Sequence, residues 1–122
     1  MAALNRVQLI GRLGKEPETK KVSNDYTLTT FSVAVDRRVK DKSGESKKET
    51  DWFTIEAWGK LAEFCEKYLH KGELVYLEGK LRNHKYESNG ETRSITKIIL
   101  DKIELFEWRG EEPELDLVEE IE

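Results

Sequence analysis

The stretch DWFTIEAWG, Asp51–Gly59, decides how this chain folds. Side chains of a strand alternate between faces, so Phe53, Ile55 and Ala57 form an ordinary core set on one side. The other side carries Trp52, Thr54, Glu56 and Trp58. A solvated strand face has no need of two indoles, each a large apolar surface. Either a second layer of protein covers that face or it is a platform for a flat partner, of which nucleic acid bases are the obvious example.

The flanks supply a barrel around this strand. Upstream, LNRVQLIGRL (Leu4–Leu13) reads as a strand with a bend or bulge at Gly11, and Gly14–Asn24 as a polar loop with a short extended piece. Tyr26–Asp36 alternates, with Thr27, Thr29, Phe31, Val33 and Val35 in the core phase. Arg37–Glu49 holds six Lys or Arg in thirteen residues around a Ser-Gly centre and reads as a protruding basic hairpin loop. Downstream, Leu61, Phe64, Cys65 and Tyr68 follow helical spacing, and Lys71-Gly72 marks the stop. Glu73–Tyr86 and Thr92–Trp108 are strands joined by a turn at Asn89-Gly90. Five strands with one short helix between the third and fourth predict an all-β fold, the oligonucleotide-binding (OB) Greek-key barrel.

Size and charge set further bounds. With 122 residues the chain fits one domain, read here as 1–109, followed by a short acidic and flexible tail, 110–122. The first 109 residues hold all 21 Lys and Arg against 18 Asp and Glu, whereas the last thirteen hold seven acids and no base. A weakly basic body with an acidic end suits a solubility segment, an interaction tail or a competitor for a basic groove. Cys65 is the single cysteine, which excludes an intrachain disulfide, and its place on the helix's apolar face makes it a structural thiol. No stretch reaches transmembrane length and the start lacks a signal-peptide layout, so the expected location is cytoplasmic.

Catalysis has little support. His70 and His84 have no Cys neighbours at metal spacing, the carboxylates of the body form no standout pair, and no phosphate-binding loop occurs. No metal and no cofactor are expected. Binding is better supported. Trp52, Trp58 and Tyr86 are the candidate base stackers, and stacking tolerates any sequence. Arg37, Arg38, Lys40, Lys42, Lys47 and Lys48 in one loop, with Lys80, Arg82, Lys85 and Arg93 in or beside the last hairpin, are candidates for phosphate contacts.

Three segments carry a resemblance to a known family: LNRVQLIGRLGKEPE (Leu4–Glu18), TDWFTIEAWGKLAE (Thr50–Glu63) and YLHKGELVYLEGKLR (Tyr68–Arg82). In this order and spacing the chain resembles the bacterial single-stranded DNA-binding proteins over residues 4–107. The resemblance implies a non-catalytic protein that wraps single-stranded DNA around a homotetramer in replication, recombination and repair, and that is nucleoid-associated. It implies stacking on Trp52, Trp58 and Tyr86, places Val39 where a further loop aromatic often stands, and implies a subunit interface at Asn5, Val7 and Leu9. It also places His84 near where some members contact DNA or a neighbouring subunit. Members usually end in a long linker and an acidic peptide capped by Pro and Phe that recruits replication and repair proteins. Here the end is EEPELDLVEEIE, which moves any partner binding to Leu115, Leu117, Val118 and Ile121. The alternative reading is an OB-fold primosome accessory acting mainly through protein–protein interaction.

Overall fold

The computed structural model describes residues 2–23 and 26–106. The acidic segment 110–122, with Leu115, Leu117, Val118 and Ile121, lies outside the described residues, as does the expected boundary at 109. The elements are β1 (Val7–Leu13), β2 (Glu18–Ser23), β3 (Tyr26–Lys40), β4 (Ser46–Trp58), α1 (Lys60–Tyr68), β5 (Leu74–Ser88) and β6 (Glu91–Leu105).

The sheet runs β1-β5-β6-β4-β3-β2, and β1 also pairs with β3, so the sheet closes on itself. Closure needs close backbone approach at Gly11, where a Cβ would lie 2.4 Å from the Ala34 carbonyl oxygen. Five strands, β1, β3, β4, β5 and β6, make the barrel, with β4 and β6 parallel and the other pairs antiparallel. This is the OB architecture. The short extended piece expected after Gly14 is β2, a hairpin partner of β3 outside the closed ring. The helix therefore lies between the third and fourth barrel strands, or between β4 and β5 when β2 is counted.

The alternation of β4 holds. Ile55 and Ala57 are buried, with Phe53 packed against them, among Phe31, Val33, Val75, Leu77, Ile98 and Leu100. Burying each large aliphatic side chain stabilises the barrel by roughly 1.5–3 kcal/mol. Helix α1 lies against β3 and β4 through Ala62 and Cys65, with Leu69 just beyond it, all three fully buried. The expected helix face is thus rotated. Leu61 and Phe64 flank the contact, and Tyr68 points outward, tilted against Phe64 with the Lys67 ammonium over its ring. Burial pushes the Cys65 thiol up to about 12, which keeps it protonated and unreactive.

The two hairpins extend further than periodicity suggests. Arg37–Glu49 is largely strand, because the β3–β4 ladder continues from Asp36↔Thr50 to Lys40↔Ser46. Opposite charges across the ladder take over where apolar alternation ends: Arg37 meets Glu49 and Asp51, and Lys48 meets Asp36. Asp41 Oδ1 orders the tip by accepting hydrogen bonds from the Ser43 and Glu45 backbone N–H groups. The second arm, β5–β6, closes at Asn89-Gly90 with positive φ at both residues, as a tight hairpin turn requires.

Candidate nucleic-acid interface

Among the described residues no second protein layer covers the tryptophan face of β4. Trp52 is 60% exposed, and its ring lies over Gly14, where a Cβ would sit 2.4 Å from Trp52 Cζ3. Trp58 is half-buried, paired across the ladder with Leu28 and stacked on Tyr26 at 5.5 Å between ring centroids and 25° between planes. Six residues of strand separate the two indoles, about 20 Å at strand rise, which is room for several nucleotides.

Register tells which cations share this face. The β3–β4 ladder is continuous, so Arg38, Lys40 and Lys48 alternate onto the same side as Trp52 and Trp58. Arg37, Val39 and Lys47 alternate to the opposite side. Arg37 is engaged there: its Nε donates to Asp51 at 2.9 Å, and that bond, followed by the Asp51 charge, raises its pKa. In the second arm Lys80, Arg82, His84 and Tyr86 share one face with Ile99, Lys97, Ile95 and Arg93 across from them. Lys97 donates to Glu56 of β4 at 2.9 Å, which places this face on the tryptophan side of the barrel. Tyr86 is 45% exposed and stands opposite Arg93, whereas Lys85 alternates away.

These elements meet in an open cleft of about 590 Å³ lined by Lys20, Lys21, Val22, Leu28, Glu56, Trp58, Arg82, His84 and Lys97. An apolar wall with an indole and a rim of cations can stack a base and hold its phosphate. Periodicity alone missed four contributors. Lys20 and Lys21 sat in an apparent loop that is β2, and Lys97 in a strand apolar in both phases. Tyr26 had a signal, because it shares the non-core phase of its strand with Leu28, as the tryptophans do in theirs.

The expected interface residues lie elsewhere. Asn5 extends the β1–β5 ladder with its side chain, donating to the Leu81 carbonyl and accepting from the Leu81 N–H, both at 2.8 Å. Val7 and Leu9 are half-buried against the core. Among the described residues no three His, Cys, Asp or Glu side chains converge to hold a metal, and no helix is long and apolar enough to cross a membrane.

The family model described as "Single-strand binding protein family" matches residues 4–106, the whole barrel. The chain belongs to that family. Membership gives the coarse activity, single-strand binding on an OB barrel. The chain is 40% identical over 107 residues to single-stranded DNA-binding protein 2 of Streptococcus agalactiae, covering 88% of this chain and 80% of that one. It is 38% identical over 104 residues to single-stranded DNA-binding protein 1 of Chlorobaculum tepidum, covering 84% of this chain but only 64% of that relative's length. Among solved structures, the Plasmodium falciparum SSB complex with ssDNA superposes with a TM-score of 0.79 at 34% identity, covering 87% of this chain and 97% of that one.

Proposed function

We propose that the protein binds and protects single-stranded DNA, largely independent of sequence, during replication, recombination and repair. The cleft joining Trp58 and Leu28 to Lys20, Arg82 and Lys97, with Trp52 further along the same strand face, carries this reading. Bases stack on Trp52, Trp58 and Tyr86, with Tyr26 extending the Trp58 stack. Arg38, Lys40, Lys48, Lys80, Arg82 and Arg93 serve the phosphates from the same side. Arg37, Lys47 and Lys85 face away and act only on strand that wraps past the arms.

The assembly is a homotetramer in the cytoplasm. Among the described residues, strand β1 meets β5 along one edge and pairs with β3 only at Arg12 and Leu13, which leaves its other edge open to a second copy over Val7–Ile10. Leu4, 90% exposed, adds apolar surface beside that edge. Replication and repair proteins are recruited through the acidic segment carrying Leu115, Leu117, Val118 and Ile121.

Titrating the protein with poly-dT while following tryptophan fluorescence and assembly mass tests this. Strong quenching, four chains per particle and much weaker binding to duplex are expected. Equal affinity for duplex and single strand would overturn the platform reading.

A further inference from the structure

Among the groups lining the cleft, Glu56 and Lys97 are unexpected. Their side chains are 14% and 23% exposed and they meet at 2.9 Å on neighbouring strands, facing the same side as Trp58. A groove that tracks a polyanion without regard to sequence needs rings and cations. A carboxylate within it repels phosphate. Stability is a weak reason to keep it, because an apolar pair of similar volume would serve a barrel wall as well or better.

We propose that this cleft takes one nucleobase and reads its edge through the Glu56–Lys97 pair, with guanine the base that fits. The inference rests on the single-strand reading above and adds a base preference at one position. Glu56 Oε2 accepts the Lys97 ammonium, and Oε1 accepts no hydrogen bond among the described residues. The pair therefore presents a free acceptor beside an ammonium with N–H groups to spare. A base stacked against Trp58 can turn its edge toward that pair, as single-strand readers do with splayed bases. Guanine offers O6 to the ammonium, and the adjoining N1–H and N2–H to the carboxylate. Thymine offers one N–H between two carbonyl oxygens. Cytosine and adenine set a ring-nitrogen lone pair beside the amino group, against the carboxylate.

The test uses the whole chain and 30-nucleotide dT strands carrying one central dG, dA, dC or dT, compared at fixed salt. Wild-type protein should bind the dG strand about tenfold or more tighter than the other three, the worth of one additional hydrogen bond to a charged group. Glu56→Gln keeps the shape and removes the charge. It should abolish the guanine preference yet tighten binding to plain dT, and steepen the salt slope by about one as Lys97 becomes available to phosphate. A purely structural role for Glu56 would weaken all four strands alike and leave the slope unchanged. Lys97→Met leaves the carboxylate unpaired and should weaken every strand; tighter binding instead would overturn the assignment. Equal binding of the four strands by wild type, or a guanine preference that survives Glu56→Gln, would also overturn it while leaving single-strand binding intact. Failure to bind dT at all would remove the parent reading as well.

Discussion

On the outer side of β3 and β4, two indoles stand at a surface where Arg38 and Lys40 make no ion pair among the described residues. On the outer side of β1 and β5, an aromatic ring and charges also meet, but they satisfy one another. Tyr76 donates its hydroxyl proton to Glu78 and accepts from Gln8 Nε2 at 3.0 Å, and Arg6 closes on the same carboxylate at 3.5 Å. Rings plus charges therefore do not define a ligand surface. What separates the faces is whether the polar groups already have protein partners, because a group bonded inside the fold must break that bond before it can serve a ligand.

The largest expected effect comes from removing the rings of the first face. Trp52→Ala and Trp58→Ala should each weaken poly-dT binding about tenfold or more, and the double variant at least about a hundredfold, at 1–3 kcal/mol per stacked base. Tyr76→Phe should leave affinity unchanged in the same fluorescence titration. A comparable loss from Tyr76→Phe would erase the distinction between the faces.

Much of this contrast is written in the sequence. Alternation in Asp51–Gly59 is enough to put Trp52 and Trp58 opposite a core phase, and the Asn89-Gly90 turn is legible because positive φ at both centres needs those residues. The arms are not legible. Apart from Val39, Asp36–Glu49 is polar on both faces, so nothing in its periodicity separates a ladder from a loop. Only register shows that Arg37 falls beside Asp51 while Arg38 does not. The helix face is not legible either, because Leu61 and Tyr68 are more apolar or larger than Ala62, the residue that is buried. Against a barrel end, the small side chain gives the closer approach, and the Thr29 hydroxyl reaches the Ala62 carbonyl at 2.8 Å. The Glu56–Lys97 contact joins residues 41 apart in the chain, beyond any local pattern.

A gentler change sharpens the comparison by displacing a ring without deleting it. Gly14→Ala would set a methyl group into the Trp52 ring. Because that ring is mostly exposed, it can swing aside, so the barrel should remain folded by circular dichroism while affinity falls about threefold to tenfold, within one stacking interaction. Unchanged affinity would mean that the seated position of Trp52 is not the binding one.

Charge provides the next test. Arg38→Ala and Lys40→Ala should each lower the slope of log affinity against log salt by about one, with a few-fold loss at moderate salt. Arg37→Ala, on the opposite side and held by Asp51 and Glu49, should change the slope much less. Equal slopes for Arg37→Ala and Arg38→Ala would show the strand wrapping both sides of the arm.

The smallest effect belongs to the second face and appears in stability, not in binding. The Tyr76 hydroxyl bond, then the Arg6 and Lys102 charges, hold the Glu78 carboxyl below the ordinary glutamate range against some desolvation, while Glu78 raises the Tyr76 phenol. A carboxyl lowered by folding adds stability above its unfolded pKa and loses it as pH falls through the lowered value. A phenol raised by folding adds stability below its unfolded pKa and loses it as pH rises through the raised one. The network thus supports the barrel across the neutral range and fails at both ends. Both groups are in contact with solvent, so the contribution is small. Thermal melts of Tyr76→Phe should show a shallower decline on the acid side and less alkaline loss than wild type. Acid sensitivity from Glu16 should persist, because that carboxyl is lowered separately by the Lys71 N–H and His70. Identical melting profiles for the two proteins would mean that the Tyr76–Glu78 bond contributes nothing to the fold, leaving that face without the internal satisfaction that sets it apart from the tryptophan side.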